Sequence, residues 1–384
     1  MTYGAGPATN GGEVRAVDNG SSTRTDTAQN VALPTAQWQA QVRAEVLGAV
    51  TEFLDDHCAQ ALSGSRVGVA EDVLRNLLAE GKCLRSTFLY LGWRCGAAVS
   101  HAAVRAAASM EFLHAFALLQ DDVMDGSPLR RGRPSAHKAL ELWHRGRGLP
   151  GSSARFGESA AVLLGDLCLV WAEQMLRGSG VDQAALDRAW PRYDAMRTEL
   201  AVGQFADLTN DAAGLPSLED VLDIARRKSG NYTVRRPLEI GAALAGCDDR
   251  ILTALGGYGA AVGEAFQLRD DLLGVFGAPQ TTGKPSGDDL TARKATTVVV
   301  AAHQLATKGQ RRQLTKLMSA DRLTTGDVSR WQHLIADIGT VDWIEQLIDQ
   351  RLAVAVDRLD GAPLESDVRS TLLAMAAACT ERSA

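Results

Sequence analysis

Trp38-Gln-Ala-Gln-Val42-Arg-Ala-Glu-Val46-Leu-Gly-Ala49-Val50-Thr-Glu-Phe53 sets its apolar side chains three and four residues apart. That spacing gathers them on one face of an α-helix. The same rhythm runs through most of the chain, and Ala, the best helix former, is abundant. Glycine and proline cluster at Gly126 to Pro134, Gly146 to Gly151, Gly214 to Pro216 and Gly277 to Gly287, with long uninterrupted segments between them. Only Pro191 and Pro237 fall inside such segments. Alternating strand patterns joined by Asn-Gly or Asp-Gly turns are missing, as is any fixed repeat. The expected fold is therefore all-α, without the strand-borne phosphate loop of an α/β protein. Residues 1–33 are rich in Gly, Ser, Thr, Asn and Asp and have little to bury, which predicts a disordered tail ahead of a single domain over 34–384.

Composition narrows the function. The 384 residues carry 46 acidic against 40 basic side chains, a formal net charge of -6, and no run of five or more basic residues. Phosphate-neutralising nucleic-acid binding is thus not expected. The six cysteines form no Cys-x-x-Cys pair and no zinc spacing, which predicts reduced thiols in a cytoplasmic protein. Apolar runs such as Thr296 to Ala302 are far shorter than the ~20 residues of a span, so neither a signal peptide nor a membrane helix is expected.

The chemistry concentrates after Met110-Glu-Phe-Leu-His-Ala-Phe-Ala-Leu-Leu-Gln120, where Asp121, Asp122 and Asp125 follow an almost uncharged helix. Asp121 and Asp125 stand one turn apart on one helical face. A bare Asp-Asp-x-x-Asp is most often a solvated helix end. Here Arg130, Arg131 and Arg133 follow closely, and guanidinium forks suit bidentate phosphate contacts. Oxygen-only ligands point to magnesium, with a substrate diphosphate completing its shell. The layout recurs at Gln267-Leu-Arg-Asp270-Asp271, followed by Gly283-Lys284 and Lys294. Lys82 and Arg85 share a helical face earlier, and Lys228 precedes Ser229.

The ordered series Gly81-Lys82-Cys83-Leu84-Arg85, Glu111-Phe-Leu-His114, Asp121 to Asp125 with Arg130-Arg131-Gly132, Gly165-Asp166, Gly203-Gln204-Phe-Ala-Asp207, Lys228-Ser229-Gly230, Gln267 to Asp271 and Gly283-Lys284 to Lys294 resembles the trans-polyprenyl (isoprenyl) diphosphate synthases. The resemblance implies a helical bundle around a deep apolar cavity. It also implies condensation of isopentenyl diphosphate with an allylic diphosphate (dimethylallyl, geranyl or farnesyl) to an all-trans product. By carry-over, Asp121 and Asp125 bind two magnesium ions and Asp270 a third, with Asp122 and Asp271 in the same metal clusters. Arg130, Lys228 and Lys284 meet the allylic diphosphate; Lys82, Arg85, His114 and Arg131 meet that of isopentenyl diphosphate. Gln267 and Lys294 support the metal site, and the Lys228 carbonyl, Ser229 and Gln267 face the carbocation. Family members pair as homodimers. Phe116 and Ala117, five and four residues before Asp121, stand where product length is set, and one aromatic beside a small residue goes with geranylgeranyl diphosphate.

Departures temper the likeness. Glu80, Cys83 and Ser86 replace the usual Gly, Arg and Pro of the first basic motif, and Gly274 stands where the second acidic motif ends in Asp, which predicts weaker organisation of the third ion. Two other readings remain: a terpene cyclase, in which Lys82, Arg85 and Arg131 would have nothing to bind, and a non-catalytic regulatory subunit. A di-iron centre, in which Glu111-x-x-His114 would act as one of a pair of such motifs on separate helices, is not expected.

Overall fold

The computed structural model describes residues 35–62, 68–279 and 285–381. The expected tail over 1–33 and the predicted site residue Lys284 lie outside them. Helices follow one another as α1 (Thr35–Ala61), α2 (Gly68–Leu78), α3 (Leu84–Arg94), α4 (His101–Met124), α5 (Ala136–Gly146), α6 (Ser153–Arg177), α7 (Gln183–Ala213) and α8 (Leu218–Ala225). A π-helical segment, Arg226–Arg235, joins α8 to α9 (Arg236–Leu244), and α10 (Asp249–Phe276) follows. Then come α11 (Asp288–Thr291), α12 (Thr297–Leu305), α13 (Lys308–Met318), α14 (Thr325–Asp337), α15 (Thr340–Leu359) and α16 (Ser366–Thr380).

Local chemistry starts many of these helices. The side chains of Ser100, Ser152, Asp182, Ser217 and Asp248 each accept a hydrogen bond from a backbone N–H three residues on, and Thr307 and Thr324 form complete capping boxes. Such caps satisfy donors that the helix leaves open. Amphipathic faces then assemble three clusters. One joins Val46, Leu74, Phe112, Trp171 and Tyr193; one joins Leu272, Val298, Trp331 and Ile344; one joins Phe88, Leu238, Tyr258 and Leu372. Where α3 crosses α9 the backbones nearly touch: a Cβ on Gly241 would lie 1.8 Å from the Leu89 carbonyl oxygen, and one on Gly92 2.2 Å from that of Leu238.

Two features bear on the sequence reading. Leu129–Arg130 and Arg133–Pro134 form a small antiparallel hairpin. Its turn residues Arg131 and Gly132 have φ of 51° and 75°, the left-handed pair of a type I′ turn, carried here by Arg-Gly and not by Asn-Gly. The other feature is that α4 and α6 are apolar enough to match a membrane span by length and composition alone, a test that buried core helices also pass, and it leaves the expectation of no membrane helix standing. α4 packs against α6 and is two-thirds buried over its most apolar window.

Candidate active site

The helices enclose a cavity of about 1020 Å³, lined at one end by Asp121, Lys228, Ser229 and Asp270 and further along by Phe116, Ala117, Leu169 and Leu200. Four elements carry its charged end. Asp121 lies in the last turn of α4, Asp207 and Asp270 lie within the last two turns of α7 and α10, and Lys228 belongs to the π segment. The π segment is widened by one residue per turn, a distortion common at functional sites. Pro237, just after it, has no N–H to give the carbonyl four residues earlier. Gly230 within it rests on α10, where a Cβ on Gly263 would lie 2.5 Å from the Gly230 oxygen.

At the mouth, ammonium groups sit on carboxylates. Lys228 Nζ lies 2.7 Å from Asp207 Oδ2 and 3.3 Å from Asp121 Oδ1, while Lys294 Nζ lies 2.7 Å from Asp125 Oδ2. Burial alone would raise the Asp121 pKa, but Lys228, Lys294 and Arg130 hold it below the ordinary carboxylate value. Burial would likewise lower Lys228 and Lys294, yet the facing acids raise both. Asp121 Oδ1 is buried with the Lys228 ammonium as its counter-charge. Cations thus already occupy the places beside Asp121 and Asp125 where a hard metal ion would compete, and the donors are oxygen only. Among the described residues no three acidic, His or Cys side chains converge to hold an ion unaided. This donor set fits a magnesium ion that takes its remaining oxygens from water and a diphosphate.

Two expected metal residues point elsewhere. Asp122 is 2% exposed and is chelated by Arg130, whose Nε lies 3.1 Å from Oδ1 and whose Nη2 closes the fork. It orients Arg130 toward Asp121, 3.6 Å away. Asp271 is buried, and burial pushes its pKa up to about 7. It accepts hydrogen bonds from Gln267 Nε2 at 2.7 Å and the Thr297 backbone N–H at 3.0 Å, anchoring the start of α12. Adjacent residues on a helix point about 100° apart, so Asp122 and Asp271 face away from the directions taken by Asp121 and Asp270. Gln267 accordingly holds Asp271 from within α10.

Gly274 also reads differently in three dimensions. A Cβ there would lie 1.8 Å from Asp289 Oδ2. The absent acid of the second motif is therefore matched by the Asp289 carboxylate from α11, which raises the Lys294 pKa after Asp125. Gly274→Asp, which on sequence grounds would strengthen the third ion's site, is instead expected to force two carboxylates together. A magnesium titration of activity should show a higher half-maximal concentration in this variant; a lower one would contradict the placement.

The basic residues expected near isopentenyl diphosphate converge less tightly. Arg85 lies with its guanidinium carbon 4.3 Å above the Tyr232 ring and donates to Thr233 Oγ1 at 3.0 Å. His114 lines the cavity, its Nδ1 buried without a hydrogen bond. Burial first, then Arg85, Arg131 and Arg130, hold its pKa well below the usual imidazole value, so it is neutral at pH 7. Arg131 donates to the Leu77 carbonyl at 3.3 Å. Lys82 lies in the turn before α3, which Arg43 secures by donating to the Gly81 carbonyl at 2.7 Å. Tyr232, Thr233, Asp207 and Asp289 received no role from the sequence, although Asp207 closes the quoted Gly203-to-Asp207 motif. Met110 and Leu113, fully buried, belong to the core.

An all-α bundle with paired acid–base clusters over an apolar shaft defines a diphosphate-handling class of protein. The polyprenyl synthetase family profile matches residues 68–335. The geranylgeranyl diphosphate synthase of Mycobacterium tuberculosis is 33% identical over 291 residues, 76% of this chain and 78% of that one. The geranylfarnesyl diphosphate synthase of Aeropyrum pernix is 31% identical over 277 residues, 71% of this chain and 80% of that one. Among solved structures, the Corynebacterium glutamicum geranylgeranyl pyrophosphate synthase complexed with isoprenyl diphosphate and magnesium superposes with a TM-score of 0.85 at 35% identity, covering 91% of this chain and all of that one. The chain belongs to the polyprenyl synthetase family.

Proposed function

We propose that the protein condenses isopentenyl diphosphate with an allylic diphosphate and that its main product is geranylgeranyl diphosphate. The observation that carries this reading is the joining, in one cavity, of a charged mouth to a long apolar shaft. Relatives named for geranylgeranyl and geranylfarnesyl products support it. Magnesium, present with isoprenyl diphosphate in the C. glutamicum structure, supplies, when bound, positive charge against the departing diphosphate; we assign three ions per site.

Asp121, Asp125 and Asp270 are the carboxylates assigned to those ions. Arg130, Lys228 and Lys294 add fixed positive charge where the leaving group develops its negative charge, the kind of preorganised electrostatics that dominates such barriers. Lys82, Arg85, Arg131 and a neutral, N–H-donating His114 are assigned to the second diphosphate. As the allylic C–O bond breaks, its electron pair leaves with the diphosphate. The double bond of isopentenyl diphosphate forms the new C–C bond, and a proton then passes to the released diphosphate. The Lys228 carbonyl, Ser229 and Gln267 present dipoles to the cation, so no histidine base is invoked. The protein is further assigned as a cytoplasmic homodimer, in keeping with its six free cysteines and family membership.

The terpene cyclase reading leaves Arg85 and Arg131 without a ligand. It is tested by supplying farnesyl diphosphate alone, which should yield no product. With isopentenyl diphosphate added, the wild type should yield a twenty-carbon product. Ala117→Phe fills the shaft one turn below Asp121 and should shift the major product to farnesyl diphosphate when geranyl diphosphate is the primer. Unchanged product length, read by chromatography, would refute the assignment of that position.

A further inference from the structure

Resting on the synthase reading, we infer that an ion pair at the base of the shaft, Arg197 with Asp194 on α7, sets the final length of the product. The other walls of the deep shaft are largely apolar, yet both these side chains line it. Depth follows from helix geometry. Asp207 marks the mouth through its contact with Lys228, and Gln204 reaches Met124 Sδ at 3.7 Å. Arg197 lies ten residues before Asp207, about 15 Å along the helix axis at 1.5 Å per residue. Ala117 lies only four residues, about 6 Å, from Asp121. A chain that slips past Phe116 and Ala117 therefore travels on until it meets the guanidinium.

Arg197 is held there firmly. It contacts Asp194 Oδ1 at 2.5 Å and Glu173 Oε2 at 3.2 Å, and its guanidinium carbon sits 4.5 Å over the ring of Tyr193, which is fully buried. The Arg197 side chain is 28% exposed and that of Asp194 61% exposed, so the pair keeps contact with water. A hydrocarbon tail advancing onto it would strip that water from two charged groups without offering a hydrogen bond, and such desolvation is costly. An apolar wall would stop the chain by shape alone; this floor stops it by charge.

The test pairs substitutions so that no charge is orphaned. Asp194→Asn with Arg197→Met keeps an unbranched stem over Tyr193, and Glu173 retains Arg177 at 3.6 Å. With isopentenyl diphosphate in excess, this variant should move the major product at least one five-carbon unit beyond that of the wild type, with KM for isopentenyl diphosphate within twofold. Arg197→Lys, which keeps the charge, should retain the wild-type length. Ala201→Arg, at an exposed, cavity-lining position one turn nearer the mouth, carries little folding risk and should shorten the product. Unchanged length in the double variant, from a wild type that does elongate, would overturn the inference. Failure of the wild type to elongate any primer would overturn the synthase reading itself.

Discussion

Asp121→Asn is expected to lower kcat by about 10²- to 10³-fold, the range found when one preorganised electrostatic contact to a developing charge is removed. Asparagine keeps the shape of the side chain and removes only its charge. Asp121 is the acid on which Lys228 converges at 3.3 Å and Arg130 at 3.6 Å, and it lines the cavity. Without it, Lys228 retains Asp207 at 2.7 Å and Arg130 retains Asp122, so the local fold keeps its main ties. Far-ultraviolet circular dichroism should therefore match the wild type. Turnover within threefold of wild type would remove Asp121 from the reacting centre.

Gly241→Ala is expected to cause the largest loss of stability among single methyl additions. The new Cβ would lie 1.8 Å from the Leu89 carbonyl oxygen and 2.8 Å from both the Leu89 carbonyl carbon and the Trp93 nitrogen. All three are backbone atoms, so no side chain can swing aside and α3 must part from α9. Overpacking of this kind costs about 1–3 kcal/mol, and a rigid backbone neighbour places it at the upper end. Thermal unfolding should show a Tm lowered by several degrees. Activity should be lost at a lower temperature as well, because α9 continues directly from the segment that carries Lys228. An unchanged Tm would show that the two helices are not packed as described.

Much of this architecture was readable before any coordinates. The spacing from Trp38 to Phe53 marked α1, and the charged residues around Asp121, Lys228 and Asp270 do meet in one cavity. What could not be read depends on direction and on approach between distant segments. Period alone shows that Asp121 and Asp125 share a face, yet nothing local reveals that Arg130 folds back onto Asp122 through a two-residue hairpin. The π segment is invisible to a 3.6-residue template, since its widening arises where Pro237 lacks a donor and Gly230 meets Gly263. Asp289 lies 15 positions from Gly274, so the filling of the missing acid's space appears only in three dimensions. The same holds for Arg197, whose i, i+3 pairing with Asp194 looks like an ordinary surface pair until the shaft is seen to end on it.

Magnesium-dependent condensation across one charged mouth can be followed by incubating the purified wild type with carbon-labelled isopentenyl diphosphate and farnesyl diphosphate. Label should appear in a twenty-carbon prenyl diphosphate, with one diphosphate released for each five-carbon unit added, and both should be lost on adding a chelator. Consumption of farnesyl diphosphate to an unlabelled hydrocarbon, or no transfer of label with magnesium present, would contradict that condensation.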